Sequence, residues 1–175
     1  MIPTADICDG HGDEVVVLDT AFGSYGGATS FSGPVSTLAV LEDNSMVRDA
    51  LEEDGAGRVL VIAGGGSTRC AIVGGNLGQM ADDNGWAGIL VDGCVRDVGE
   101  LRGTTIGIPP RGSSPRRSVL RATVAMDVPV ALGAVHLSPA ALSLASESAV
   151  ALCLLPSAWS RPPVFRRRAP SPLVH

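Results

Sequence analysis

The sequence predicts an α/β fold, a sandwich of buried strands and short amphipathic helices rather than a helical bundle. Three observations carry that prediction. Residues 59–63 (VLVIA) and 87–91 (AGILV) are continuous apolar runs too short for helices, as expected of strands buried on both faces. Each run ends against glycine, at Gly64-Gly65-Gly66 and at Asp92-Gly93. Between and before them, apolar residues recur at helical spacing. Hydrophobic residues are 45% of the 175 positions but aromatics only 3%, so the core has to be built from Val, Leu, Ile and Ala.

The elements follow in order. Thr4 can cap a first short helix running to Asp9, with Ile7 and Cys8 inward. Val15-Val16-Val17-Leu18 reads as a strand by β-branching. Residues 23–33 (GSYGGATSFSG) form a glycine-rich connection anchored by Phe22 and Phe31, and residues 34–41 form a strand. Asp43-Asn44-Ser45 starts a helix whose inward stripe is Met46, Val47, Ala50 and Leu51, stopped by Gly55. The glycines after residue 63 are expected to make a tight strand-to-helix turn. A phosphate loop is excluded there, since no GxxxxGK[ST] motif and no lysine exist. A sharper alternative has their amides lining a pocket with Arg96.

Gly74-Gly75 opens the next helix. Leu77, Met80 and Ala81 make its apolar face, and Asn84-Gly85 closes it with a left-handed cap. After the strand at 87–91 come Arg96 and Asp97, and a helix is expected to start over 97–101. Strands are expected at 104–108, 128–132 and 149–155, with a Pro/Arg-rich loop at 109–117 (PPRGSSPRR). One domain spans 1–155. Residues 156–175, with five prolines and four arginines, read as a disordered tail.

Charge divides the chain. Residues 1–100 hold 16 acidic and 4 basic side chains, a balance of −12, and residues 101–175 balance at +7. Every basic residue is arginine, so Schiff-base chemistry and a lysine-anchored pyridoxal phosphate are excluded. Carbonyl chemistry would need a metal ion or fixed dipoles. Cys8, Cys70, Cys94 and Cys153 show no CxxC spacing and read as reduced structural thiols. His11, His136 and His175 are equally scattered, which argues against a zinc site. No apolar run reaches membrane-spanning length, so the expectation is a soluble, cytoplasmic protein. Nucleic-acid binding by the basic tail has little aromatic interleaving to support it.

Arg96 and Asp97 are the leading site candidates. They fall just past the C-terminal end of a buried strand, where ligands bind in open α/β sheets. A guanidinium fork suits a carboxylate, and the alternative is a structural salt bridge. Asp97 can hold a hard divalent cation with several waters, and otherwise caps a helix. Asp92 and Glu100 are secondary candidates for orienting a metal-bound water. The helix start at Gly74, Gly75, Asn76 and Leu77 offers backbone N–H groups to an anion.

Residues 59–108 (VLVIAGGGSTRCAIVGGNLGQMADDNGWAGILVDGCVRDVGELRGTTIGI) closely resemble the RraA-like family. That family holds the regulator of ribonuclease activity A and the class II 4-hydroxy-4-methyl-2-oxoglutarate aldolases. Residues 22–44 (FGSYGGATSFSGPVSTLAVLEDN) resemble it too. The resemblance implies a swivelling β/β/α sandwich and a homotrimer with sites between subunits. It implies a lyase using Mg2+ or Mn2+ to cleave 4-hydroxy-4-methyl-2-oxoglutarate to pyruvate and to decarboxylate oxaloacetate. In that reading Arg96 and Asp97 are catalytic. Arg96, Gly74, Gly75, Asn76 and Leu77 bind the 2-oxo acid, and Asp97 holds the metal. The alternative is a non-enzymatic regulator that binds a ribonuclease of the RNase E type, or an inactive relative. Arg96-Asp97 favours the enzyme. The aldolases carry an Asp where this chain has Gly75, and that favours the alternative.

Overall fold

The computed structural model describes residues 4–12, 15–18, 21–119, 125–139, 141–145 and 150–153. The tail expected at 156–175 lies outside them. Four helices, α1 (Thr4–His11), α2 (Ser45–Glu52), α3 (Gly75–Asp83) and α4 (Val98–Leu101), accompany ten strands among the described residues. The strands are β1 (Val15–Val17), β2 (Phe31–Ala39), β3 (Val59–Val73), β4 (Gly88–Val95), β5 (Pro110–Ser113), β6 (Ala125–Met126), β7 (Val130–Leu132), β8 (Val135–Leu137), β9 (Leu142–Ala145) and β10 (Val150–Cys153).

The parallel ladder β2-β3-β4-β5 is the centre of the molecule. Its apolar runs sort by parity, because successive side chains on a strand point to opposite faces. Leu60, Ile62, Ile89 and Val91 face α2 and α3, where Val47, Leu51 and Ala81 meet them. Val59, Val61 and Leu90 face the other way, against Val130, Leu132 and Leu137 of the antiparallel β7-β8 hairpin. Hairpin, sheet and helices are thus three layers, a β/β/α sandwich, and continuous apolar runs are what a doubly covered middle layer requires.

β2 belongs to two ladders. Residues 31–34 pair antiparallel with β9, and residues 35–39 pair parallel with β3. Pro34 stands at the changeover, where its missing N–H spares the ladder a donor. Through β9 the sheet continues to β10 and β1, so residues 142–145 and 150–153 close the edge next to the N-terminal strand.

Four expectations change. β2 starts at Phe31, inside the stretch read as a connection, because its first residues find β9 as a partner. The glycines 64–66 are not a strand-to-helix turn. β3 runs through them to Val73, with register shifts against β4 and positive φ at Gly65 (64°) and Gly66 (67°) absorbing the irregularity. The strand expected at 104–108 is absent; only Gly107 bridges to Gly88, and β5 forms instead in the segment read as a loop. The strand expected at 128–132 is shorter, the described part of that expected at 149–155 forms β10, and β8 and β9 were not foreseen. The α3 expectations hold: Leu77 and Ala81 are buried, and Gly85 takes φ 75° beyond the Asn84 cap. Phe31 is buried as an anchor, and the Arg111 guanidinium lies over the Phe22 ring.

Candidate functional site

β3 and β4 are parallel neighbours, so their C-terminal ends lie side by side. β3 delivers Gly74 and the start of α3, and β4 delivers Arg96 and Asp97 in the two-residue link to α4. The Arg96 N–H donates to the Val73 carbonyl at 3.0 Å and holds the link against the end of β3. Asp97 then adopts the left-handed conformation (φ 55°, ψ 44°). For a residue with a Cβ this costs about 1–2 kcal/mol, and such strain gathers at functional sites. The Asp97 carbonyl accepts from Glu100 and Leu101 N–H, which starts α4, but its side chain makes no cap bond to that helix.

That side chain turns instead to the start of α3. Oδ2 of Asp97 accepts from the Gly75 N–H at 3.3 Å and lies 3.4 Å from Arg96 Nε. Both contacts fall on Oδ2, leaving Oδ1 for a further ligand. The two side chains are about two-fifths exposed, so they can meet a small molecule. Gly74 permits the arrangement by close approach. A Cβ there would stand 2.9 Å from Asp97 Oδ2 and 3.2 Å from Arg96 Nε. In the first turn of α3 the Leu77 N–H is bonded to the Gly74 carbonyl at 3.0 Å, and Asp97 takes that of Gly75. The Asn76 N–H is the first-turn amide left over.

These residues open onto a cavity of about 380 Å3. Gly74, Asn76, Leu77, Arg96 and Asp97 line it; Gly75, expected to bind substrate with them, does not, and its N–H is taken by Asp97. Its other walls come from two places the sequence did not flag. The N-terminus of α2 brings Asn44, Ser45 and Arg48, tied to β3 by Asn44 Nδ2 donating to the Ile72 carbonyl at 3.2 Å. The segment after β5 brings Arg117 and Ser118, held where the Ala71 N–H donates to the Arg116 carbonyl at 2.7 Å. Three guanidinium groups thus share a cavity with a single carboxylate. The signal for Arg117 was present in the arginine-rich PPRGSSPRR segment, but only the pairing of residue 117 with Ala71 aims it here.

Asp92 and Glu100 part company. Asp92 is buried and committed elsewhere: Arg111 donates to its Oδ1 at 2.6 Å, and the Gly66 N–H donates to its Oδ2 at 3.1 Å. It does not line the cavity, which corrects its candidacy for orienting a metal-bound water. The same bond corrects the pocket reading of the glycines 64–66, none of which lines the cavity. Glu100 does not line the cavity either, but its side chain folds over the start of α3, against Gly75. A Cβ on Gly75 would overlap its carboxylate and stand 2.7 Å from its Cβ. Cys8, Cys70 and Cys94 are free thiols, and burial raises the pKa of both Cys70 and Cys94 above the ordinary thiol value.

A family model described as "RraA-like: Aldolase/RraA" matches residues 4–151. The chain belongs to the RraA-like family. The match runs through β9 and into β10, well beyond residue 108, where the resemblance seen in the sequence thinned. A relative from Burkholderia multivorans, provisionally named a 4-hydroxy-4-methyl-2-oxoglutarate aldolase, is 49% identical over 152 residues, which cover 84% of this chain and 93% of that protein. Among solved structures, the RNA-processing inhibitor RraA from Thermus thermophilis is 40% identical with a TM-score of 0.85, over 92% of this chain and 98% of its own. A structure described as the S-adenosylmethionine: 2-dimethylmenaquinone methyltransferase of Geobacillus kaustophilus is 41% identical with a TM-score of 0.84, over 87% and 94%. One RraA-like fold thus carries three different functional names, and the site has to decide among them.

Proposed function

We propose that this protein is a lyase of 2-oxo acids that cleaves 4-hydroxy-4-methyl-2-oxoglutarate to pyruvate, with oxaloacetate decarboxylation as a side activity. The observation that carries the reading is the Arg96-Asp97 pair at the end of β4, facing the first turn of α3 in a cavity dominated by arginine. Its size, about 380 Å3, suits a small acid.

Arg96 binds the carboxylate of the 2-oxo acid through its planar fork, and the Asn76 N–H adds a donor. In the aldol cleavage the bond between C3 and C4 breaks. Its electron pair stays on the pyruvyl fragment as an enolate, and the C4 hydroxyl becomes a carbonyl by losing its proton. Arg96 places fixed positive charge beside the developing enolate. Glu100, folded against Gly75 at the start of α3, is the candidate acceptor of the hydroxyl proton through a water.

The family resemblance implies a divalent metal, and the donor set fits one. Among the described residues no group of three or more His, Cys, Asp or Glu could cage an ion. Asp97, in a cavity that Asn44, Ser45 and Asn76 also line, suits a hard cation that keeps most of its waters. Asp97 would hold Mg2+ or Mn2+, which when bound supplies Lewis-acid polarisation of the 2-oxo group.

The test is pyruvate release from both substrates with Mg2+, then with EDTA, for wild type and Arg96→Lys. Lysine keeps the charge but not two parallel hydrogen bonds, so turnover should fall on the order of 100-fold. Wild-type turnover in Arg96→Lys would reduce the pair to a structural one. The trimer implied by the resemblance belongs to this reading, and a monomeric mass by light scattering together with full activity would remove it.

A second reading has two observations behind it. Gly75 lacks the carboxylate of the family's aldolases, and a relative at 40% identity is described as an RNA-processing inhibitor. A non-enzymatic ribonuclease regulator predicts no pyruvate release above the metal-only background, and inhibition of an RNase E-type enzyme.

A further inference from the structure

The cavity holds more positive charge than one carboxylate ligand answers. Arg48, Arg96 and Arg117 line it, against Asp97 alone. Arg96 is partnered by Asp97, and Arg48 lies 3.8 Å from Glu52 one turn along α2. Among the described residues, no carboxylate lies within ion-pair distance of Arg117. The next residue gives a second, independent sign. Ser118 is 4% exposed, and its Oγ is buried without a hydrogen-bond partner. Buried hydroxyls are nearly always satisfied, and an orphan asks for an explanation. Ser118 lines the same cavity. Its backbone is held by neighbours on both sides: Ala71 bonds the Arg116 carbonyl and bridges to Arg117, and the Val119 N–H donates to the Glu42 carbonyl at 3.2 Å. Among the described residues, a guanidinium without a carboxylate partner and a hydroxyl without a hydrogen-bond partner, adjacent in sequence, thus form a donor pair without an acceptor.

We propose that Arg117 and Ser118 form a second carboxylate subsite in this cavity, which selects dicarboxylic over monocarboxylic 2-oxo acids. This rests on the lyase reading for which acid is turned over, but not for binding. Arg96 takes the carboxylate next to the 2-oxo group, and Arg117 with Ser118 takes the distal one. A dianion then answers the excess charge of the site, and the Ser118 hydroxyl gains its missing acceptor. The pair acts in binding and selection, not in bond cleavage.

The test pairs two acids of equal length, 2-oxoglutarate and 2-oxopentanoate, which differ in the distal carboxylate. Binding of each is measured by calorimetry with Mg2+ present, for wild type, Ser118→Ala and Arg117→Ala. In parallel, KM and kcat are measured for 4-hydroxy-4-methyl-2-oxoglutarate and for the monocarboxylic 4-hydroxy-2-oxopentanoate. Wild type should bind the dicarboxylate at least about tenfold more tightly, as expected for a hydrogen-bonded charge. Both variants should lose most of that preference and leave 2-oxopentanoate binding unchanged. KM for the dicarboxylic substrate should rise while kcat holds. Ser118→Ala should melt no lower than wild type, since it deletes a hydroxyl without a partner in the free protein. If Arg117→Ala does not fold, Ser118→Ala decides alone. Equal wild-type affinity for the two acids, or an unchanged preference in Ser118→Ala, overturns the subsite, as does equal loss of both acids. A binding preference without any pyruvate release would overturn the lyase reading and leave the subsite standing; turnover without the preference would do the reverse.

Discussion

Replacing Gly75 by alanine tests how tightly the site is built. A Cβ at that position would overlap the Glu100 carboxylate and stand 2.7 Å from Glu100 Cβ and Cδ. Real Cβ atoms do not approach so closely, so Glu100 has to swing away and α4 has to shift slightly. Overpacking of this kind costs about 1–3 kcal/mol. At this chain length that lowers the melting temperature by roughly 2–4 °C per kcal/mol. Glu100→Ala removes the carboxylate but keeps the Cβ. The double variant should therefore recover most of the loss and not all of it, with a coupling of about 1–2 kcal/mol. The assay is thermal melting of the four proteins at one fixed concentration, since an assembly would make the midpoint concentration-dependent. A Gly75→Ala protein within about 0.5 kcal/mol of wild type, or strict additivity of the two changes, would refute the reasoning. The same geometry bears on Gly75→Asp, which the family pattern suggests as a gain of function. Here a new carboxylate meets Glu100 in the same space, so Gly75→Asp should destabilise at least as much as Gly75→Ala.

Two further outcomes follow from buried groups. Arg111→Ala strips Asp92 of its guanidinium partner while that carboxylate stays buried, and should destabilise by about 3–5 kcal/mol in chemical denaturation; Asp92→Asn with Arg111→Gln should cost less than Arg111→Ala alone. Burial raises the thiol pKa of Cys70, with the Glu42 charge adding to it, and burial alone raises that of Cys94. The unfolded thiols therefore ionise first as pH climbs. Their contribution to stability is complete below the ordinary thiol range of about 8.5 and is lost as pH rises through the folded values. Melting at pH 7, 9 and 10 should show the decline. Iodoacetamide at pH 8 should label Cys8 well before Cys70 or Cys94, and equal labelling of all three would contradict it.

What local chemistry encodes was legible without a structure. The runs at 59–63 and 87–91 read as buried strands because unbroken aliphatic runs too short for a helix are what a strand covered on both faces requires. The stripe of Val47, Ala50 and Leu51 faces the core as its spacing requires. Arg96 and Asp97 are adjacent in sequence, so locating the end of one strand located both. The tertiary structure decided whatever depends on partners distant along the chain. β3 continues past Gly66 only because β4 goes on pairing with it, and a glycine run looks locally like a turn. β2 is split between two ladders because β9, more than a hundred residues later, meets its first half. Asp92 left the candidate site because Arg111, on the neighbouring strand, supplies its counter-charge. Arg48, Arg117 and Ser118 entered it because α2 packs beside β3 and because Ala71 pairs with the chain at residues 116–117. Periodicity and capping act over a few residues. The charge balance of the cavity is set by strand pairing across tens of residues, which no local pattern records.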